Sequence, residues 1–177
     1  MPLRVREKEA ELSLELARSL LSYDPLTGAL NWKCPPRRGV GAGPAGCINA
    51  DGYKIVGYGG REYMATHLIW FLQTGEWPEH GVDHKSRNKT DDRWDNLRPA
   101  TYAQNNRNMG LRKDNKTGVR GVEFIERNTL NPYVTRIGVD GTQIKLGCYP
   151  SLEEAKLVRE AAELKYHGEF SPLHEGQ

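Results

Sequence analysis

The stretch VDHKSRNKTDDRWDNLRPATYAQNNRN, residues 82–108, is too polar to form a core, so most of it must lie on a surface built by other segments. Apolar patterning lies on both sides of it. Upstream, HLIWFLQ at 67–73 is the longest strongly apolar run. Downstream, three strand-like segments and an amphipathic helix follow the polar hexapeptide KDNKTG at 113–118. A chain of 177 residues has material for one ordinary domain or two small ones. The change of character places a boundary near 110–116. The expected organisation is a helix within 1–22, a domain over 23–109, a linker over 110–116 and a second domain over 117–173, in an α+β chain.

In EKEAELSLELARSLLSYD, Leu12, Leu16 and Leu20 fall at i, i+4 and i+8, with Ala17 and Leu21 beside them, the spacing of an amphipathic helix. DPLTG supplies a turn and ALNWK a short strand. CPPRRGVGAGPAG, residues 34–46, is loop. CINADGYKIVGYGGREYMATH reads as a hairpin or meander with breaks at Asp51-Gly52 and Gly59-Gly60. THLIWFLQTGEWP reads as a helix capped by Thr66, ended by Gly75 and barred from continuing by Pro78. In the polar stretch, GVDHKS and NLRPAT read as strands around the turn NKTDDRWD, and TYAQNNRNMGLR as a helix with Thr101 at its N-cap.

Downstream, GVRGVEFIE, PYVTRIGVD and TQIKLGCYP read as three strands, the last two joined at Asp140-Gly141. In the helix that follows, Ser151 and Glu154 have the spacing of a capping box. Ala155, Val158, Ala161, Ala162 and Lys165 suggest a small-residue stripe for close packing on a sheet. Strand alternation turns Ile144 and Leu146 toward that helix, and Gln143 and Lys145 outward.

The formal net charge is +2, but residues 81–120 hold ten Lys/Arg against five Asp, a local +5. None of the three cysteines, Cys34, Cys47 and Cys148, sits in a CxxC pair, which excludes a four-cysteine zinc site and argues for reduced thiols in a cytoplasmic protein. The N-terminus lacks the continuous apolar core of a signal peptide, and the apolar run at 67–73 is far too short to span a bilayer.

Asp83, His84, Asn96 and Asn105 bring together a carboxylate, an imidazole and two amides. Phosphodiester hydrolysis needs a base for the attacking water, neutralisation of the charge growing on phosphorus, and help for the leaving oxygen. One imidazole serves the first need, and one hard divalent cation on oxygen ligands serves the other two. Adjacent strand residues point to opposite faces, so a bend or bulge is expected to turn Asp83 and His84 toward one phosphate. Lys85 and Arg87 stand where an EF-hand loop would need oxygen ligands, which excludes that motif. His67 is expected to pack or cap, and His80, His167 and His174 to be ordinary surface or packing histidines.

VDHKSRNKTDDRWDNLRPATYAQNNRN resembles the DH…N…N form of the HNH, or ββα-metal (His-Me finger), endonucleases found in phage-borne and homing nucleases. The resemblance covers roughly 23–109. It implies a metal-dependent cut of double-stranded DNA, with a host-cell cytoplasmic setting if the gene is phage-borne. Residue by residue, Asp83 resembles the first metal ligand, His84 the general base, and Asn96 the middle asparagine that holds the hairpin and helps orient the histidine. Asn105 resembles the second metal ligand, at a position where many relatives carry His. An oxygen donor there favours Mg²⁺ or Mn²⁺ over Zn²⁺. Asn106 and Asn108 compete with Asn105 for that role. Arg87, Arg93 and Arg107 of the basic window are expected on DNA.

Residues 117–173 resemble a second family, the APETALA2/ethylene-response-factor DNA-binding domain, through RGV at 120–122, LG-Y at 146–149, EEA at 153–155, EAA at 160–162 and HGEF at 167–170. That resemblance implies a three-stranded antiparallel sheet packed on one helix, with the sheet entering the major groove. It puts Arg120, Glu123, Arg136, Gln143 and Lys145 at groove-facing positions. Tyr133 and Lys145 stand where tryptophans are common, and Glu123 and Gly138 where arginines are common, so the plant target sequence does not carry over. Two readings follow. One is a metal-dependent DNA endonuclease, a nicking monomer or a homodimer. The other is a DNA-binding regulatory protein with an inactive nuclease module.

Overall fold

The computed structural model describes residues 12–34, 41–108, 111 and 114–171, and the chain divides into two compact units, Met1–Thr101 and Tyr102–Gln177. The fold is mixed α+β, with four α-helices and small antiparallel sheets among the described residues. The division after Thr101 precedes the last helix of the expected nuclease domain. That helix, α3 (Tyr102–Asn108), is tied downstream: the Arg120 guanidinium donates to the backbone carbonyls of Asn106 (2.8 Å) and Arg107. Residues 110, 112 and 113 of the expected linker, and residues 1–11 of the expected first helix, lie outside the described residues.

In the first unit, α1 spans only Leu14–Leu20, opened by Ser13, whose Oγ accepts from Leu16 N at 3.2 Å. The helix ends at Leu20, short of the expected bound at 22, because Leu21 already belongs to strand β1 (Leu21–Asp24). Strand β1 pairs with β2 (Ala29–Trp32) across the DPLTG turn. Asp24 builds that turn, accepting from Leu26 N (3.0 Å) and Thr27 Oγ1 (2.7 Å), and these bonds hold its carboxyl below the usual range. Strand β3 (Gly43–Pro44) completes this sheet. A second sheet joins β4 (Cys47–Ile48), β5 (Lys54–Tyr58) and β6 (Arg61–Met64), broken where expected between β5 and β6 at Gly59-Gly60.

Helix α2 (Ala65–Thr74) follows β6 without a break. Thr66 is not its cap: Met64 holds that position, and Thr66 is buried inside the first turn. Gly75 ends the helix as expected, its N–H donating to Phe71 O at 2.9 Å. Ala65, Leu68, Ile69 and Leu72 join Ala17, Leu21, Leu30, Trp32 and Val56 in one core. Trp77 stacks on Phe71 with centroids 4.2 Å apart, and Trp70 lies 5.2 Å from Trp94. Trp94 begins a 3₁₀ turn, Trp94–Asn96, so its packing on α2 anchors the polar loop that leads to the candidate site.

In the second unit, the sheet order is β11–β10–β9: β9 (Val122–Phe124), β10 (Tyr133–Val139) and β11 (Thr142–Tyr149), backed by α4 (Leu152–His167). The tight Asp140-Gly141 connection is present, with a register shift between Thr135 and Arg136. Ser151 caps α4, its Oγ accepting from Glu154 N at 3.2 Å. The buried face of α4 differs from the expected stripe. Ala155 and Ala162 are buried, but Ala161 and Lys165 are exposed, and Arg159, Glu163 and His167 are buried instead. Arg159 and Glu163 neutralise each other at 2.8 Å, which lets two charged side chains occupy a face that composition assigns to apolar ones.

Candidate active site on the β7–β8 hairpin

Strands β7 (Gly81–His84) and β8 (Leu97–Ala100) pair in an unbroken register, with Asp83 opposite Arg98 and His84 opposite Leu97. The ladder itself runs without a bulge, and β7 ends at His84. Asp83 and His84 are both 5% exposed. Each has its own partner. Arg98 Nε and Nη2 donate to Asp83 Oδ2 at 3.0 and 2.9 Å, a cross-strand ion pair. His84 Nε2 lies 3.0 Å from Oδ1 of Asp92, a residue that sequence reasoning left in the polar turn.

Asp92 is 2% exposed, and three distant segments position it. Tyr23 of β1 donates its hydroxyl to the Asp92 carbonyl at 2.7 Å. Burial first, and then the Asp92 charge, push the Tyr23 phenol above the ordinary tyrosine value, so it stays protonated as a donor. Lys54 Nζ of β5 lies 3.2 Å from Asp92 Oδ2, a close charge contact in which Oδ2 still has no partner of hydrogen-bonding geometry. Gly28 of the DPLTG turn sits against the Asp92–Arg93 backbone. A Cβ there would come within 2.7 Å of Asp92 C and Arg93 N, and its φ of +74° suits glycine. No signal within the polar turn singles out Asp92 from Asp91 and Asp95, because its partners come from elsewhere in the chain.

Asn96 closes the loop, accepting from Ser86 N (2.9 Å) and donating to Asp91 O (2.6 Å), while its own carbonyl accepts from Lys85 N at 2.8 Å. Arg87 is exposed at φ 62°, and Arg93 makes a bidentate pair with Asp91 at 2.7 and 2.6 Å that holds the Asp91 carboxyl below its usual range. Of the three competing amides on α3, Asn105 is exposed, Asn106 half-buried and Asn108 3% exposed. Asn105 falls on the other side of the division at Thr101 from Asp83 and His84. Among the described residues, no group of three or more His, Cys, Asp and Glu is arranged to hold a metal ion.

Residues 63–107 match the family model of HNH endonucleases. The HNH match contains Asp83, His84, Asn96 and Asn105, and it also takes in Asp92 and α2. No curated protein and no solved structure matches the chain.

The remaining expected DNA contacts lie in the second unit. Arg136 is ion-paired with Glu123 at 2.6 Å and Arg107 with Asp140 at 2.8 Å, whereas Arg120 clamps α3. Gln143 and Lys145 are exposed on β11, opposite Gly138 and Arg136, as alternation predicts; Ile144 and Leu146 are half-buried. His167 packs as expected, its Nε2 3.0 Å from Gly138 O. Cys34, Cys47 and Cys148 are free, and no described helix is long and apolar enough to cross a membrane.

Proposed function

We propose that the chain is a metal-dependent DNA endonuclease that hydrolyses one phosphodiester per catalytic event. The HNH endonuclease match over 63–107 carries this reading, because it contains all four chemistry-bearing residues of the polar stretch. His84 takes the proton of the attacking water. Asn96 holds the loop that follows His84 in one shape. Asp83 and Asn105 are the proposed cation ligands, Asn105 on the sequence resemblance alone. Their donors are all oxygen, which suits Mg²⁺ or Mn²⁺, and they are too few to complete the coordination sphere, which leaves places for phosphate oxygens and water. When bound, the cation neutralises charge on the phosphorane and the leaving oxygen.

The second unit is the proposed DNA reader, its three-stranded sheet presenting Gln143 and Lys145 with Arg136 and Glu123 beside them; Arg87 and Arg93 are proposed phosphate contacts of the first unit. A phage-borne or homing origin and an APETALA2-like ancestry for the second unit remain part of this proposal. With one catalytic motif, a monomer nicks, and cutting both strands requires two copies. The test is supercoiled plasmid incubated with the full chain and Mg²⁺ or Mn²⁺. Relaxed or linear product that EDTA abolishes supports the reading. Metal-dependent DNA binding without any cleavage favours the inactive-module alternative.

A further inference from the structure

We propose that Asp92 is the positioning residue for His84: its buried carboxylate fixes the imidazole with hydrogen on Nε2 and so assigns the proton-accepting lone pair to Nδ1. This rests on His84 being the base of the proposed endonuclease. A carboxylate only accepts, so the ring nitrogen 3.0 Å from Asp92 Oδ1 must carry hydrogen in both the neutral and the cationic imidazole. The neutral ring then has its lone pair on Nδ1. During attack, the water oxygen bonds to phosphorus, its proton moves to Nδ1, and the breaking P–O bond leaves its electron pair on the departing oxygen. Asp92 keeps its charge throughout and stabilises the imidazolium without taking its proton, the part played by the buried aspartate of a Ser-His-Asp triad.

The surroundings of Asp92 suit positioning better than stability alone. A carboxylate 2% exposed is costly to bury, and among the described residues Lys54 is the lysine or arginine paired with it, with Oδ2 lacking a hydrogen-bond partner. Its place is nevertheless fixed from several directions. The Tyr23 hydroxyl holds its carbonyl, the Gly28 turn packs on its backbone, Asn96 donates to the carbonyl of the preceding Asp91, and Trp94, two residues on, packs against Trp70. Rigid support around a costly charge aimed at one imidazole is the arrangement that precise proton transfer requires.

Long-range ¹H–¹⁵N correlation spectra of the full chain, recorded at alkaline pH where imidazoles are neutral, read the tautomer directly, with the His84 signals assigned by their loss in His84→Ala. The expected result is protonated Nε2 and unprotonated Nδ1. Asp92→Asn preserves shape but offers an amide that can donate, so the tautomer should become mixed or reversed. Its kcat for plasmid cleavage should fall by about 10²–10⁴-fold with KM changed by less than about threefold. A wild-type His84 protonated on Nδ1 overturns the proposal. So does an Asp92→Asn protein that keeps kcat within about tenfold of wild type. If Asp92→Asn fails to fold, the wild-type tautomer alone decides. A wild-type protein that shows the Nε2–H tautomer but cuts no DNA refutes the endonuclease reading itself, a result distinct from failure of the Asp92–His84 geometry.

Discussion

Asp83 and His84 are neighbours on one strand, yet each is held by a different residue, Asp83 by Arg98 and His84 by Asp92. The Asp83–Arg98 pair is buried, with side chains 6% and 10% exposed, so removing one partner leaves a charge that water cannot easily solvate. Arg98→Ala should therefore lower unfolding free energy by about 3–5 kcal/mol in urea melts. A loss under about 1 kcal/mol would show that the pair is solvated like a surface ion pair. At this scale the sequence offers Asp83, His84, Asn96 and Asn105 as candidates because their chemistry is distinctive and they fall within one short segment, which the HNH endonuclease match spans. The contacts of Asp92 with His84 and of Arg98 with Asp83 carry no such local signal. Three Asp side chains crowd the same turn, and what selects Asp92 is Tyr23, sixty-nine positions upstream in the chain, together with Lys54 and Gly28.

Elements transmit these residue effects. The β1–β2 hairpin looks remote from the site in sequence, but its Gly28 supports the Asp92 backbone. Gly28→Ala has to displace either the turn or the Asp92–Arg93 backbone. It should lower stability by about 1–3 kcal/mol and reduce kcat more than KM. Unchanged stability and kcat would separate the hairpin from the site. In α4, His167 is buried and its pKa is lowered, mainly by desolvation, with Arg159 and Arg107 adding to the effect while the Gly138 carbonyl and Glu163 oppose it. The unfolded chain thus binds a proton more readily than the folded one. The stability tied to neutral His167 is present above the ordinary histidine value, about 6.5, and is lost as pH falls through the lowered folded value. His167→Gln should flatten the fall in melting temperature below about pH 6.5. An unchanged acid slope would mean that His167 titrates as if exposed. Turns and caps such as Asp24, Gly75 and Ser151 were legible because they act locally. The polar face of α4 was not, because its buried charges are admissible only as the Arg159–Glu163 pair.

For the whole molecule, the sequence places a boundary near 110–116, and the chain divides into compact units after Thr101. A polar linker is visible by composition, whereas the attachment of α3 to Arg120 is a tertiary contact that composition does not carry. That contact also makes Arg120 a poor test of DNA reading, since its loss would release α3. Lys145 and Gln143 are exposed and give cleaner tests. Lys145→Ala, as a phosphate contact, should weaken binding to preferred and random DNA alike and reduce the salt slope by about one. Gln143→Ala, as a base contact, should cost about 1–3 kcal/mol on the preferred site alone. If neither substitution alters binding, the reading surface lies elsewhere. The central claim, that this is a nuclease whose base is His84, is tested most directly by cleavage of supercoiled plasmid under Mg²⁺, with wild type and His84→Ala compared at saturating enzyme. The account predicts EDTA-sensitive cutting by wild type and a rate at least about 10²-fold lower for His84→Ala, with DNA affinity preserved. Equal rates for the two proteins would contradict it.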